Sequence, residues 1–434
     1  MPLMKKLIDQ SRVFIGQDGT VAEDAKGLFF FDAKPATFTD LRGVRLLRCG
    51  VDTVRQLYRG MVRPDVLAIF DEKPGIVDFA GYRFHASRVG RDSGYQYKLQ
   101  NSDLGLILLI KNFNVKPDSI GSHLKIEVSP HAIDDRSPER LQEVLDHLAG
   151  HVLQHLERNQ CAVHIALDFQ GWTPSDDFVA SLHCKAQAQR RLDGVNSFGW
   201  SETSAVYGRG QSFLFGSAGG VQLALYNKTL QAKSIDKLDY MESVWRRTDN
   251  PFGAEDSHNY DQNAPVWRLE LRYHHSVVQQ FADGSASVQT GEFINTTSFA
   301  ELTPHLNGLW LYGLENFRLL SRPGVFDPFW TLIRQDVRVD SEVDSLLDET
   351  QYKRHYKTSR GFSGKSIDIV MGGLVSLLAR QGVGAKKGFE AIKQLPVWPV
   401  IQQHYADRDM SERDIYKQVK ERLEERVVRW GMAV

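Results

Sequence analysis

Hydrophobic residues recur along this chain at two spacings, and the spacing changes about three quarters of the way along it. Alternation dominates the earlier part. In the run from His123 to Val128, Leu124, Ile126 and Val128 take one face of a strand, while His123, Lys125 and Glu127 share the other. Leu104 to Lys111 predicts a neighbouring strand. From about Leu28 to Phe84, short apolar runs broken by Gly, Asp and Pro read as strands and short helices in alternation. Ser137-Pro138 opens a helix with a capping serine and a proline at the first helical position. Leu141, Val144, Leu145, Leu148, Val152 and Leu156 then keep helical spacing. Cys161 to Phe169 is aliphatic enough for a central strand buried on both faces. Phe178 to Arg191 reads as a helix. Phe213 to Ser217, Val221 to Tyr226 and Val266 to Tyr273 read as three more strands, with an exposed polar loop from Thr248 to Ala264 before the last. Beyond Arg322-Pro323-Gly324 the spacing is helical: Ser366 to Arg380, Ala385 to Leu395, and a final helix from Ser411. There Ser411 and Asp414 form a cap pair, and Ile415, Val419, Leu423, Val427 and Trp430 share a face.

These elements predict a mixed α/β (α+β) fold: a mainly antiparallel sheet with helices packed on it, followed by an all-helical C-terminal region. The expected division is a β-rich extension over 1–49, a body over 50–321 and a helical domain over 322–434. A length of 434 residues agrees with more than one structural unit. Charge adds a constraint, because 53 basic against 54 acidic residues leave a net charge of -1, so any polyanion site must be a local patch. Cys49, Cys161 and Cys184 are far apart and form no C-x-x-C pair, which fits a reducing cytoplasm and no zinc ribbon. Met1 to Ile8 has two lysines but no apolar run after them, and the longest apolar stretch, Ile367 to Ala379, is interrupted by Asp368, Gly372, Gly373 and Ser376, so neither a signal peptide nor a membrane span is expected.

The glycines from Gly208 to Gly220 lack the G-K-[ST] ending of a phosphate-binding loop and precede a strand, so they read as tight turns. His274 and His275, read as adjacent strand residues, point to opposite faces and do not share a metal. More promising are acids on strands. Asp168, Glu270 and Glu127 each interrupt an otherwise regular strand, and a carboxylate held rigidly is a hard oxygen donor for Mg²⁺ or Mn²⁺. Each also fits a solvated face or an arginine partner, Arg268 and Arg272 being the candidates for Glu270. Tyr226 ends a strand, with Lys228 two residues on, placed to stabilise a phenolate or a phosphorane. A packing role for the tyrosine is the plainer alternative.

The order of Phe215-Gly216-Ser217, then Tyr226-Asn227-Lys228, then Arg268-Leu269-Glu270 resembles the replication initiation factors of filamentous phages and small rolling-circle plasmids. That family carries a G-S pair, a Y-D-K motif and an R-x-E strand in this order. Ala166-Leu167-Asp168 is similar to its R-x-D strand with the arginine replaced, and Lys125 to Pro130 resembles its basic, acidic and proline-ended strand. The likeness spans roughly residues 50 to 320. It implies a nickase-like body and a metal-dependent DNA nickase and strand transferase. Tyr226 would be the nucleophile, with Lys228 beside it. Asp168, Glu270 and Glu127 would hold Mg²⁺ or Mn²⁺, and a 5′-phosphotyrosyl intermediate would leave a 3′-OH to prime rolling-circle synthesis. Asn227 replaces the family's aspartate and Ala166 its arginine.

A basic, aromatic run supplies the expected DNA contact: Lys353, Arg354, Lys357, Arg360 and Lys365, interleaved with Tyr352, Tyr356 and Phe362. A solvated linker is the other reading of this run. Partners implied are origin DNA as a single strand or hairpin and a host helicase and polymerase, in the cytoplasm of a bacterial host. Two further functions fit the same residues: an origin-binding regulator that has lost nicking, and a mobilisation relaxase of a conjugative element. Transesterification at phosphorus needs a positioned nucleophile, charge neutralisation and in-line geometry in any of the cutting versions.

Overall fold

The computed structural model describes residues 7–13, 27–71, 74–90, 94–184, 189–191, 212–217, 219–247, 259–355, 364–406 and 410–429. Its frame is a pair of antiparallel strands of 18 residues each, Arg45–Val62 (β1) and Leu153–Gln170 (β7), whose inward positions are mostly apolar. Nine further strands extend the sheet: Gly75–Phe79 (β2), Tyr82–Arg88 (β3), Tyr95–Asn101 (β4), Leu106–Asn112 (β5), Gly121–Val128 (β6), Gln189–Arg191 (β8), Ser212–Gly216 (β9), Val221–Asn227 (β10) and Trp267–Tyr273 (β11). The order across the sheet is β8-β9-β10-β11-β7-β1-β6-β5-β4-β3-β2, every neighbour antiparallel. The fold is therefore the expected α+β class, with a large antiparallel sheet.

One sheet face carries the core. Helix Pro138–Val152 (α1) presents Leu141, Leu145, Leu148 and Val152 to Val54, Leu124 and Ile126, and Val277, Val278 and Phe281 of helix His275–Ala282 lie in the same cluster. Burying each such side chain contributes about 1.5–3 kcal/mol. Ser137 caps α1 through its side-chain oxygen, which accepts from Arg140 N at 3.3 Å. The helix stops at Val152, short of Leu156, because Leu153 is already extended (φ -117°, ψ 146°) and begins β7. Gly60 makes that pairing close: a Cβ there would sit 2.6 Å from the Gln154 carbonyl oxygen.

Other expectations need correction. The helix expected over Phe178 to Arg191 ends at Ser181, because Leu182–Cys184 pairs with Phe317–Arg322 and tertiary pairing overrides the local helical pattern. Arg322-Pro323-Gly324 is a hairpin turn between Phe317–Arg322 and Val325–Phe326, and the two compact units of the chain divide between His355 and Tyr356. The polar loop before β11 is not wholly exposed, since Asn259 and Tyr260 are buried and Asn259 Nδ2 donates to the Leu46 carbonyl at 2.8 Å. Residues 248–258 of that loop lie outside the described residues.

The second unit contains helices Gly364–Arg380, Ala385–Lys393, Trp398–Ala406 and Glu412–Arg429. Its core is Ile367, Met371, Val375, Phe389, Ile392, Ile401, Ile415, Val419 and Leu423 with their neighbours. Ser411 and Asp414 cap the last helix reciprocally, as expected: Asp414 N donates to Ser411 Oγ at 3.3 Å and Ser411 N to Asp414 Oδ2 at 3.0 Å. Trp430 lies outside the described residues. Among the described residues no helix is long and apolar enough to cross a membrane.

Candidate active site

On the face away from α1, four adjacent strands bring polar side chains into three cross-strand rows. Tyr226, Arg268, Asp168 and Arg48 are register partners in one row. Gln222, Arg272, His164 and Thr53 form another. Between them run Ala224, Glu270, Ala166 and Gly50, so Glu270 stands in a row of small residues. Strand alternation explains the separation: Val163, Ile165 and Leu167 point into the core, and His164, Ala166 and Asp168 point to the rows. Asp52 belongs to no row. The ladder pairs Thr53 with His164 and Val51 with Ile165, so Asp52 is the extra residue of a β-bulge that turns it toward the site.

Glu270 is buried and accepts four hydrogen bonds. Its Oε1 accepts from Arg272 Nε at 2.9 Å and from His164 Nδ1 at 3.0 Å. Its Oε2 accepts from Arg272 Nη2 at 3.0 Å and from the Tyr226 hydroxyl at 3.1 Å. Burial opposes its charge, but Arg272 and His164 hold the carboxyl well below its usual range. Burial, and then the Glu270 carboxylate, push the half-buried Tyr226 phenol well above its ordinary value. Lys228 is also buried, its Nζ 5.9 Å from the Tyr226 ring centre, and burial and then Arg268 lower its ammonium to about 8.

Asp168 is 1% exposed and paired to Arg268: Oδ1 accepts from Nε at 2.6 Å and Oδ2 from Nη2 at 2.7 Å. Its Oδ2 also accepts from Trp245 Nε1 at 2.8 Å. The third nitrogen of Arg268, Nη1, donates to Asp52 Oδ1, and Thr53 Oγ1 donates to Asp52 Oδ2 at 3.1 Å. Glu127 lies in the next part of the sheet and pairs with Lys125 at 3.0 Å and Arg55 at 3.2 Å. Of the three acids named from sequence, then, only Glu270 belongs to a set able to share a cation. One ligand atom each from Asp52, His164 and Glu270 lies within 4.8 Å of the others. Two carboxylates and an imidazole are a donor set suited to Mn²⁺ or Mg²⁺, so the residues fit such an ion. His164 donates its Nδ1 hydrogen to Glu270, which leaves Nε2 to carry the lone pair in the neutral ring.

Tyr226 and Lys228 do stand beside Glu270. Asn227 between them caps helix Lys228–Ser234, its Oδ1 accepting from Leu230 N at 3.0 Å, a task aspartate performs equally well. The departure from Y-D-K thus falls on a cap. The glycine-rich segment forms the expected hairpin at Gly216 (φ 93°) to Gly220, between β9 and β10, while Gly208 and Gly210 lie outside the described residues. His274 is not a strand residue. It caps helix His275–Ala282, and the two histidine rings lie 3.9 Å apart at the end of β11.

Of the basic run, Lys357 and Arg360 lie outside the described residues. Lys353 is exposed, and Arg354 donates from Nε to Gln280 Oε1 at 2.6 Å. Lys365 lies in the first turn of helix Gly364–Arg380. Tyr352 is not a free stacking surface, because its hydroxyl meets His305 Nδ1 at 2.9 Å and its ring covers Gly308. Two cavities flank the rows. One of about 650 Å³ is lined in part by Arg48, Arg136, Arg247 and Arg338, and one of about 240 Å³ by Thr53, Glu127, His131 and Lys237.

Asp52, His164 and Trp245 were not visible as site residues from sequence, and Arg268, expected as a partner for Glu270, pairs instead with Asp168 and Asp52. His164 and Asp168, four apart in an aliphatic strand and therefore on one face, were the available signal. No family model matches the chain, and no solved structure matches it. It is similar to the uncharacterized protein ORF430 of Pseudomonas phage Pf1, 51% identical over 432 residues that cover 99% of this chain and 100% of that protein. The chain belongs to the family of that phage protein.

Proposed function

We propose that this member of a phage protein family is a replication initiator that nicks one DNA strand at an origin through Tyr226. The observation that carries the reading is the Tyr226 hydroxyl, held at 3.1 Å on the Glu270 carboxylate among Lys228, His164, Arg268 and Arg272. Glu270 fixes the direction of the phenol but is a poor proton acceptor, because its own carboxyl is held low. Lys228 is better matched. With its value near 8, a useful fraction is neutral at working pH, and such a group takes a proton during attack efficiently.

The step balances as follows in atoms. Tyr226 Oη bonds to phosphorus as its proton passes to Lys228, the P–O3′ bond breaks, and Lys228 returns the proton to the leaving 3′ oxygen. The products are a 5′-phosphotyrosyl ester and a free 3′-OH, and the reverse attack by a 3′-OH reseals the strand. Arg268 and Arg272 add positive charge beside the developing phosphorane. A divalent cation held by Asp52, His164 and Glu270 would supply further neutralisation of the phosphate. Three carboxylates, Asp52, Asp168 and Glu270, already face Arg268, Arg272 and Lys228, so such a cation is expected to bind weakly rather than tightly. The basic sequence from Lys353 to Lys365 is proposed to contact DNA, whereas the flanking cavity sets its arginines against Asp134, Asp336, Asp340 and Glu342 and is no basic surface.

The test is supercoiled origin DNA with Mn²⁺ and the full chain. Wild type should yield nicked circles and a covalent protein–DNA adduct, mapped to Tyr226 by mass spectrometry after nuclease digestion. Tyr226→Phe should bind the origin and form neither product. An adduct on another tyrosine, or one formed by the Phe variant, would refute the assignment. Binding by wild type without nicking would favour the origin-binding regulator. The capping role of Asn227 argues against that second reading, since the residue replaced is structural.

A further inference from the structure

We infer that Asp168 is a positioning residue: anchored by Trp245, it sets the guanidinium of Arg268, which in turn holds Asp52 beside His164 and Glu270, and Asp168 itself ligates no cation. This rests on the metal reading above. Asp52 needs such a device. As the unpaired residue of a bulge it has no ladder partner, so strand register does not fix the direction of its side chain. Two donors fix it instead, Arg268 Nη1 on Oδ1 and Thr53 Oγ1 on Oδ2.

The guanidinium is planar, so the carboxylate that grips two of its nitrogens also determines where the third points. Asp168 grips Nε and Nη2 at 2.6 and 2.7 Å, leaving Nη1 aimed at Asp52. Asp168 is in turn held at Oδ2 by Trp245, which belongs to helix Leu238–Arg246 and is itself fully buried among Leu47, Met241, Tyr260 and Val266. Both oxygens of Asp168 are thus engaged by donors within 2.8 Å, and at 1% exposure they have no open side. The set that can share an ion contains Asp52, His164 and Glu270 and leaves Asp168 out. Partners that orient metal ligands typically change affinity by about 10–100-fold when removed.

A double-mutant cycle read by Mn²⁺ binding to the full chain, with free Mn²⁺ measured by electron paramagnetic resonance, tests the chain of contacts. Asp168→Asn and Arg268→Gln should each weaken binding by about 10–100-fold, and the double variant should bind no worse than the weaker single, because both act along one path. Losses that multiply in the double variant would make Asp168 an independent ligand and overturn the inference. So would an Arg268→Gln protein that binds normally while Asp168→Asn does not bind. Wild type that takes up no Mn²⁺ would overturn the metal reading and this inference with it, a result distinct from multiplying losses. If circular dichroism shows either buried-pair variant to be unfolded, Trp245→Phe carries the test. It keeps an aromatic ring, though a smaller one, and removes the donor to Asp168, so it should weaken Mn²⁺ binding in the same direction, and unchanged affinity would overturn the proposal.

Discussion

Val163, Ile165 and Leu167 of β7 lie against the helices, and the residues between them, His164 and Ala166, with Asp168 beyond, lie on the polar rows. Both faces are largely buried, yet they are built on opposite terms. On the helix side each aliphatic group removed from water adds directly to stability. On the polar side burial costs each charge its hydration: attraction outweighs that cost for Glu270 and Arg268, while burial prevails for Lys228. The comparison teaches that the fold is held chiefly by one face of these strands, while the other carries the candidate site.

Ile165→Ala, on the apolar side, should have the largest effect on stability, about 2–5 kcal/mol in urea unfolding, with nicking per folded molecule unchanged. A loss below about 1 kcal/mol would break the contrast. Lys228→Met, on the polar side, should move stability the other way. The Lys228 value in the folded chain, about 8, lies below the ordinary 10.5, so the unfolded chain binds more protons between those limits. Wild-type stability therefore rises with pH through that window, and at pH 7 the buried ammonium costs on the order of 3 kcal/mol. The methionine variant should accordingly be more stable at pH 7, with the gain fading by pH 10.5, and should lose cleavage. Urea unfolding at several pH values measures the first part. A variant less stable at pH 7 would show that the ion network contributes net stability. Thr53→Val should have the smallest effect, about 1 kcal/mol, since it removes one donor from a carboxylate that keeps Arg268.

What was legible in the sequence follows the same contrast. Apolar spacing located β6, β10, β11, the start of α1 and the last helix, because burial of one face repeats along each element. Arg272 was legible as a partner for Glu270, being two residues away on the same strand face. Register between distant strands was not. Asp168 and Glu270 both lie on the site face, but pairing sets Asp168 opposite Arg268 and Glu270 opposite Ala166, which is why one carboxylate is consumed by an arginine and the other receives the tyrosine. A bulge leaves no trace in local spacing, so Asp52 was hidden. Phe178 to Arg191 misled for a related reason, since Leu182–Cys184 pairs with residues well over a hundred positions later and Gln189–Arg191 with β9.

The long separation of the site residues along the chain bears on when the candidate site can assemble. Arg268 lies 100 residues after Asp168 and 216 after Asp52. Contacts this remote in sequence form late, after costly loop closures, and during synthesis they cannot form at all until β11 has emerged. A ribosome that has made β1 through β7 has produced about half of the main apolar core but neither Tyr226 nor the strand that aims it. Under the nicking proposal, cutting would thus be delayed by translation itself, and a chain ending before Trp267 should form no covalent adduct with DNA.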